Sequence, residues 1–211
     1  MPLVKTINIS KNTLVLVWKI SESLQELSTV FLNEESLNRI QNMRSQLHQK
    51  GFISVRHLLA KAGYSDADLF YNQHGKPHLK DGKNISITHS FNFSSIIISD
   101  IVVGIDIEKN RDKITRIAHK FVDQEYKFLQ EERLIEQLTI LWGAKESLYK
   151  IHPDGGLSFK ENLPIDSFTI NDSKTTGTII KDSWHEKFDI FFEKIEDFTL
   201  VYALPQNKLS E

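Results

Sequence analysis

The stretch Ile101-Val102-Val103-Gly104-Ile105-Asp106-Ile107-Glu108 decides how this chain is read, because an apolar run ends by placing two carboxylates two positions apart. If the run is extended, side chains alternate with a period of two. Val103, Ile105 and Ile107 then share one face, while Gly104, Asp106 and Glu108 share the other. Both acids point the same way. At the usual strand rise their Cα atoms stand roughly 6 to 7 Å apart, close enough for the carboxylates to converge on a hard cation bound through oxygen. Gly104, just before them, leaves room for a ligand or for backbone.

Downstream, residues 109–120 are locally basic, with Lys109, Arg111, Lys113, Arg116 and Lys120 against the single acid Asp112. Ile114, Ile117, Ala118 and Phe121 recur at helical spacing, which predicts an amphipathic helix. Its apolar side packs on the core, or the segment serves as a docking surface for an acidic helical partner. Asp123 is expected to cap a further helix through Tyr126, Phe128 and Leu129. Beyond it, Leu138, Leu141, Trp142 and Tyr149 form an apolar stripe at the helical period, and Lys145 falls on that stripe. A lysine there must snorkel or meet a negative group. Glu146 and Lys150 lie one turn apart on a flanking face, and Gly143 offers a close approach. From residue 155 onward, alternating runs at 168–170, 177–180, 188–192 and 198–204 read as an antiparallel meander.

Upstream, Thr13–Trp18 reads as a strand, and helices are expected after Ser21, after Asn33 and over residues 48–59 despite Gly51. Arg39, Arg44 and Arg56 lie on these helices. Gln73-His74-Gly75-Lys76-Pro77-His78-Leu79 is a turn that holds Lys76 on a constrained loop, and residues 85–90 form a strand that delivers His89 at its end. Residues 94–99 read as its partner strand.

A length of 211 residues with 40% hydrophobic content buries a real core in one domain or two small ones. The net charge of −2 gives no global attraction to nucleic acid, so any charged partner must be met by a local patch. With no cysteine, disulfide and thiolate chemistry are excluded. No run approaches the roughly 18 apolar residues of a membrane span, and the first residues lack a signal-like pattern. The expectation is a cytoplasmic protein with a boundary near residue 101.

Taken together, Val103-Gly104-Ile105-Asp106-Ile107-Glu108 and Trp142-Gly143-Ala144-Lys145-Glu146-Ser147-Leu148-Tyr149-Lys150, with Asp106 and Glu146 40 positions apart, resemble the 4′-phosphopantetheinyl transferase superfamily. Its signature is a hydrophobic-Gly-hydrophobic-Asp-x-Glu strand followed by Trp-x-x-Lys-Glu-x-x-x-Lys. Gly75-Lys76-Pro77, Ile87-Thr88-His89-Ser90 and Gly156-Leu157-Ser158 also look like its larger, Sfp-like form, with Thr88 replacing the usual serine. The resemblance implies an α+β fold of two similar halves related by a pseudo-two-fold. Each half has a small antiparallel sheet with a packed helix, and the active site lies at their junction. Residues 1–100 would contact the coenzyme A nucleotide, and residues 101–211 would hold magnesium and dock the carrier protein.

The implied reaction is Mg²⁺-dependent. It moves the 4′-phosphopantetheine of coenzyme A to a serine of an apo acyl or peptidyl carrier protein, releasing 3′,5′-adenosine diphosphate. It would serve fatty acid, polyketide or nonribosomal peptide biosynthesis, with the enzyme a monomer. Asp106, Glu108 and Glu146 would bind the metal. Glu146, directly or through a bound water, would take the serine proton, and Lys150 with Lys145 would stabilise phosphate charge. Lys76 and His89, with Arg39 or Arg56, would hold the 3′-phosphate. The carrier would dock near Lys113, Ile114, Arg116, Ile117 and Phe121. A metal-dependent phosphoesterase or nuclease using the same carboxylates is the first competing reading, and a degenerate carrier-protein-binding module is the second, against which the intact Asp106, Glu108, Glu146 and Lys150 argue.

Overall fold

The computed structural model of the chain describes residues 2–153 and 155–206. It divides into two compact units, Met1–Asp100 and Ile101–Glu211. Helices combine with antiparallel sheets in each, which makes the fold α+β.

In the first unit, β1 (Leu3–Ser10), β2 (Thr13–Lys19), β5 (Asn84–Ser90) and β6 (Phe93–Ser99) form a sheet in the order β1-β2-β6-β5, all neighbours antiparallel. Between β2 and β5 come α1 (Leu24–Leu27), α2 (Glu34–Gln41), α3 (Gln46–Lys61) and a small hairpin of β3 (Leu69–Tyr71) and β4 (Pro77–Leu79). Capping residues set where the helices start. Ser23 and Glu26 make a reciprocal capping box for α1, two residues later than the expected Ser21, and Asn33 accepts from the Ser36 N–H at the start of α2. Phe52, Ile53, Val55 and Leu59 turn one face of α3 onto Leu16, Trp18, Ile96 and Ile98 of the sheet. Gly51 sits within α3 against the ring of His89, where a Cβ would stand 3.0 Å from Nδ1. The glycine therefore makes room for the imidazole.

In the second unit, β7 (Gly104–Lys109), β10 (Phe198–Pro205), β9 (Trp184–Ile195) and β8 (Lys174–Lys181) form a sheet in that order. The meander β8-β9-β10 is longer than its apolar runs alone suggest. Residues 168–170 differ from expectation. Phe168 is buried in the core, and Ile170–Asp172 is a turn of 3₁₀ helix rather than strand. The helix α5 (Leu134–Ile151) covers β7 and β10, burying Leu138, Leu141, Ala144 and Leu148 against Val201, Ala203 and Ile190. Each leucine buried in this way contributes on the order of 2 kcal/mol.

Two glycines bring α5 unusually close to the strands. A Cβ on Gly104 would lie 1.9 Å from the Ser147 carbonyl oxygen, and one on Gly143 would lie 2.7 Å from Val201 Cγ2. The amphipathic helix expected over residues 109–120 is shorter, with α4 (Lys113–Ile117) passing into a 3₁₀ turn at Ala118–Lys120. Among the described residues, no helix is long and apolar enough to cross a membrane.

Candidate active site

Residues 103–108 alternate as a strand should. Gly104 and Asp106 face α5, whereas Ile105 and Ile107 are fully buried and lie outside the core beneath that helix. Asp106 is paired in register with Val201 and Glu108 with Thr199 on β10. From α5, Lys150 reaches back to the strand. Its ammonium donates to Asp106 Oδ1 at 2.9 Å and to the Ile105 carbonyl oxygen at 2.8 Å. Asp106 is 5% exposed, and its Oδ2 is buried without accepting a hydrogen bond. Lys150, one turn from Glu146 along the helix, thus makes its ion pair from helix to strand.

Glu146 is the electrostatic centre of this cluster. Burial pushes its carboxyl up to about 7, the charges of Asp106 and Glu108 add to the rise, and Lys150 opposes it. A group that titrates near neutral pH and faces two further carboxylates can accept a proton or help to bind a cation. Among the described residues, no group of three histidines or acids is drawn together tightly enough to enclose a metal. A closed cage is not what magnesium requires, since it commonly uses one or two carboxylates together with water and substrate phosphate. The oxygen-only donor set Asp106, Glu108 and Glu146 fits that chemistry, and its mutual repulsion is of the kind a dication relieves.

Lys145 takes a different place from the one expected. It is fully buried, makes a 2.6 Å ion pair with Glu125 and donates to the Phe159 carbonyl oxygen at 3.0 Å. Glu125 also accepts from the N–H groups of Asp123 and Ile165. Burial opposes ionisation of Glu125, but the bond from Lys145 and the backbone donors outweigh it and hold the carboxyl below its usual range. Burial lowers Lys145 as well, and Glu125 counteracts part of that shift. With its ammonium enclosed in this network, Lys145 is not presented to a phosphate. Sequence reasoning missed Glu125, although an inward-facing lysine on an apolar stripe signals that an acid must meet it. The cap expected from Asp123 is also absent, because the segment is a 3₁₀ turn at Gln124–Phe128 without a side-chain cap bond.

Phe121 is a second correction. It is fully buried and packs edge-on to Trp142, so it belongs to the core and cannot line a docking surface. Lys113 and Arg116 are exposed, and Ile114 and Ile117 are half-buried.

The first unit holds the other predicted residues. Arg56 is buried, with Nε 2.9 Å from Asp66 Oδ1 and its guanidinium 3.4 Å from the centre of the Phe52 ring. It is a structural ion pair rather than a nucleotide ligand. Arg39 is exposed, and its guanidinium lies over the rings of Tyr71 and Phe52. Tyr71 pairs with Pro77 across the β3–β4 hairpin, which places Arg39 beside the turn that carries a half-buried Lys76. His89 is exposed at the end of β5, above Gly51 and with its ring 6.4 Å from that of His48.

Comparison with known proteins bears on the family of the chain. Residues 102–203 match the model of the 4′-phosphopantetheinyl transferase superfamily. The chain is 32% identical over 124 residues to the 4′-phosphopantetheinyl transferase gsp of Aneurinibacillus migulanus, a match covering 57% of this chain and 50% of that protein. It is 30% identical over 157 residues to the 4′-phosphopantetheinyl transferase Sfp of Bacillus subtilis (strain 168), covering 72% and 66%. The matched stretches thus span about half to two thirds of the relatives' own length.

Proposed function

We propose that this chain, which belongs to the 4′-phosphopantetheinyl transferase superfamily, transfers the 4′-phosphopantetheine of coenzyme A to a serine of an apo carrier protein and releases 3′,5′-adenosine diphosphate. The observation that carries this reading is the cluster of Asp106, Glu146 and Lys150 where α5 crosses β7, inside the matched stretch.

In this reading the serine Oγ attacks the phosphorus that bears the pantetheine arm, and the bond to the adenosine diphosphate oxygen breaks. Glu146, directly or through an intervening water, takes the serine proton, a task suited to a carboxyl poised near neutral pH. Lys150, its ammonium held beside Asp106, would stabilise the charge that gathers on the transferring phosphate. Magnesium held by Asp106, Glu108 and Glu146 would neutralise the pyrophosphate. Lys76 and His89 would hold the 3′-phosphate, with Arg39 beside Lys76. Lys113, Arg116, Ile114 and Ile117 would receive an acidic helix of the carrier.

The wider picture we propose is a cytoplasmic monomer of two related halves; the four-stranded antiparallel sheet with a long helix in each unit supports the likeness of the halves.

Mass spectrometry of apo carrier proteins incubated with coenzyme A and Mg²⁺ tests the reading. A phosphopantetheine adduct is expected, and it should be lost with EDTA and in Asp106→Ala, whose circular dichroism should match that of the wild type. Hydrolysis of coenzyme A without an adduct on fatty-acid, polyketide or peptide carriers would refute it in favour of a phosphoesterase.

A further inference from the structure

The β3–β4 hairpin is organised by one side chain that belongs to no part of the site described above. Asn72 Oδ1 accepts from the N–H groups of both His74 and Lys76, each at 3.0 Å. The Asn72 carbonyl oxygen accepts from the Gly75 N–H at 2.9 Å, and the Asn72 N–H donates to the Lys76 carbonyl oxygen at 3.0 Å. Both backbone polar groups of Lys76 are therefore bound to this one residue. Gly75 supplies the left-handed φ of 77° that the loop needs, and Pro77 restricts Lys76 itself to extended conformations. At its base the hairpin is anchored by buried Leu69 and Leu79, which pair across the strands, and by Arg39 over Tyr71.

We propose that Asn72 is the positioning residue for Lys76, fixing the loop backbone so that the lysine ammonium is directed at the 3′-phosphate of the nucleotide before the donor arrives. The inference rests on the transferase reading and adds a residue that acts only through another. A side chain that accepts two backbone N–H groups at once removes most of the freedom of a five-residue loop. Directing the lysine beforehand spares its ordering cost on binding, so the benefit should appear in the affinity for the phosphorylated nucleotide and not in the chemical step.

The test is steady-state transfer to an apo carrier from coenzyme A and from dephospho-coenzyme A, which lacks the 3′-phosphate. Asn72→Ala should raise KM for coenzyme A by about tenfold, the scale of one or two hydrogen bonds, with kcat changed less than twofold. KM for dephospho-coenzyme A should be unchanged. Asn72→Asp keeps the acceptor and should restore KM to within about twofold. In a Lys76→Ala background, Asn72→Ala should add nothing, because its effect passes through that lysine. Asn72→Gln carries the same amide one methylene too far and provides the same comparison if the alanine variant folds poorly.

An unchanged KM for coenzyme A, an equal rise for both donors, or full additivity with Lys76→Ala would each overturn the proposal. A wild-type protein that transfers nothing from either donor would instead overturn the transferase reading, and this inference with it.

Discussion

Glu146 holds a carboxyl whose ordinary value of 4.5 is raised to about 7, and that rise has a thermodynamic sign. Between those two values the folded chain binds more protons than the unfolded chain, so stability falls as pH rises through the window and stays low above it. Without divalent cations, Glu146→Gln should abolish this dependence. It should also be more stable than the wild type at pH 8 by about 1 to 3 kcal/mol, a range reduced because Glu146 is partly solvated. Urea denaturation at pH 5 and pH 8 measures both effects, and transfer activity should be lost in the same variant. A gain in stability coupled to a loss of activity marks a group kept in an unfavourable place for its chemistry. At this scale the positions of the acids were legible in the alternation of residues 103–108. The engagement of Lys145 with Glu125 was not, because the partners lie 20 positions apart and only the fold brings them together.

Besides the bonds of Lys150 to β7, helix α5 is fastened to the rest of its unit by devices that differ in kind. The first is the enclosed Lys145–Glu125 pair, joined to the backbone at Asp123, Phe159 and Ile165. Glu125→Ala leaves an uncompensated ammonium in the core and should cost about 3 to 5 kcal/mol in chemical denaturation, whereas Glu125→Gln combined with Lys145→Met should lie much closer to the wild type. Equal losses in the single and double variants would mean that packing, not charge, dominates.

The second device is the backbone approach at Gly104, where even a methyl group meets the Ser147 carbonyl. Gly104→Ala should destabilise the protein by about 3 kcal/mol or more, or prevent folding, as read by the urea midpoint. The helix at Glu34–Gln41 announced itself through its Asn33 cap and that at Leu134–Ile151 through its apolar stripe, while the reading over residues 48–59 falls inside the helix Gln46–Lys61. Strand β1 did not, because its half-exposed alternation of apolar and polar residues is a weak signal beside the buried β2. The end of the basic segment also escaped, since Phe121 has helical spacing from Ile114 and Ile117 but the chain there has already left the α-helix.

Over the whole molecule the formal charge is −2, yet residues 109–120 carry five basic side chains, and those of Lys113 and Arg116 are exposed. On the proposed function, attraction of an acidic carrier is local and screened by salt, with a Debye length of about 8 Å at physiological ionic strength. Reversing both charges, Lys113→Glu with Arg116→Glu, should raise KM for the carrier by about tenfold and leave that for coenzyme A within twofold. The wild-type KM for carrier should climb with added salt while that of the double variant responds less. An unchanged carrier KM would place docking elsewhere. A screen that scores only lost activity would group these positions with Gly104, and for Gly104 the grouping would mislead. That glycine touches no reacting group. It sets the thickness of the layer between strand and helix, so its silent variants are failures of assembly, and a melting curve separates them from true losses of chemistry.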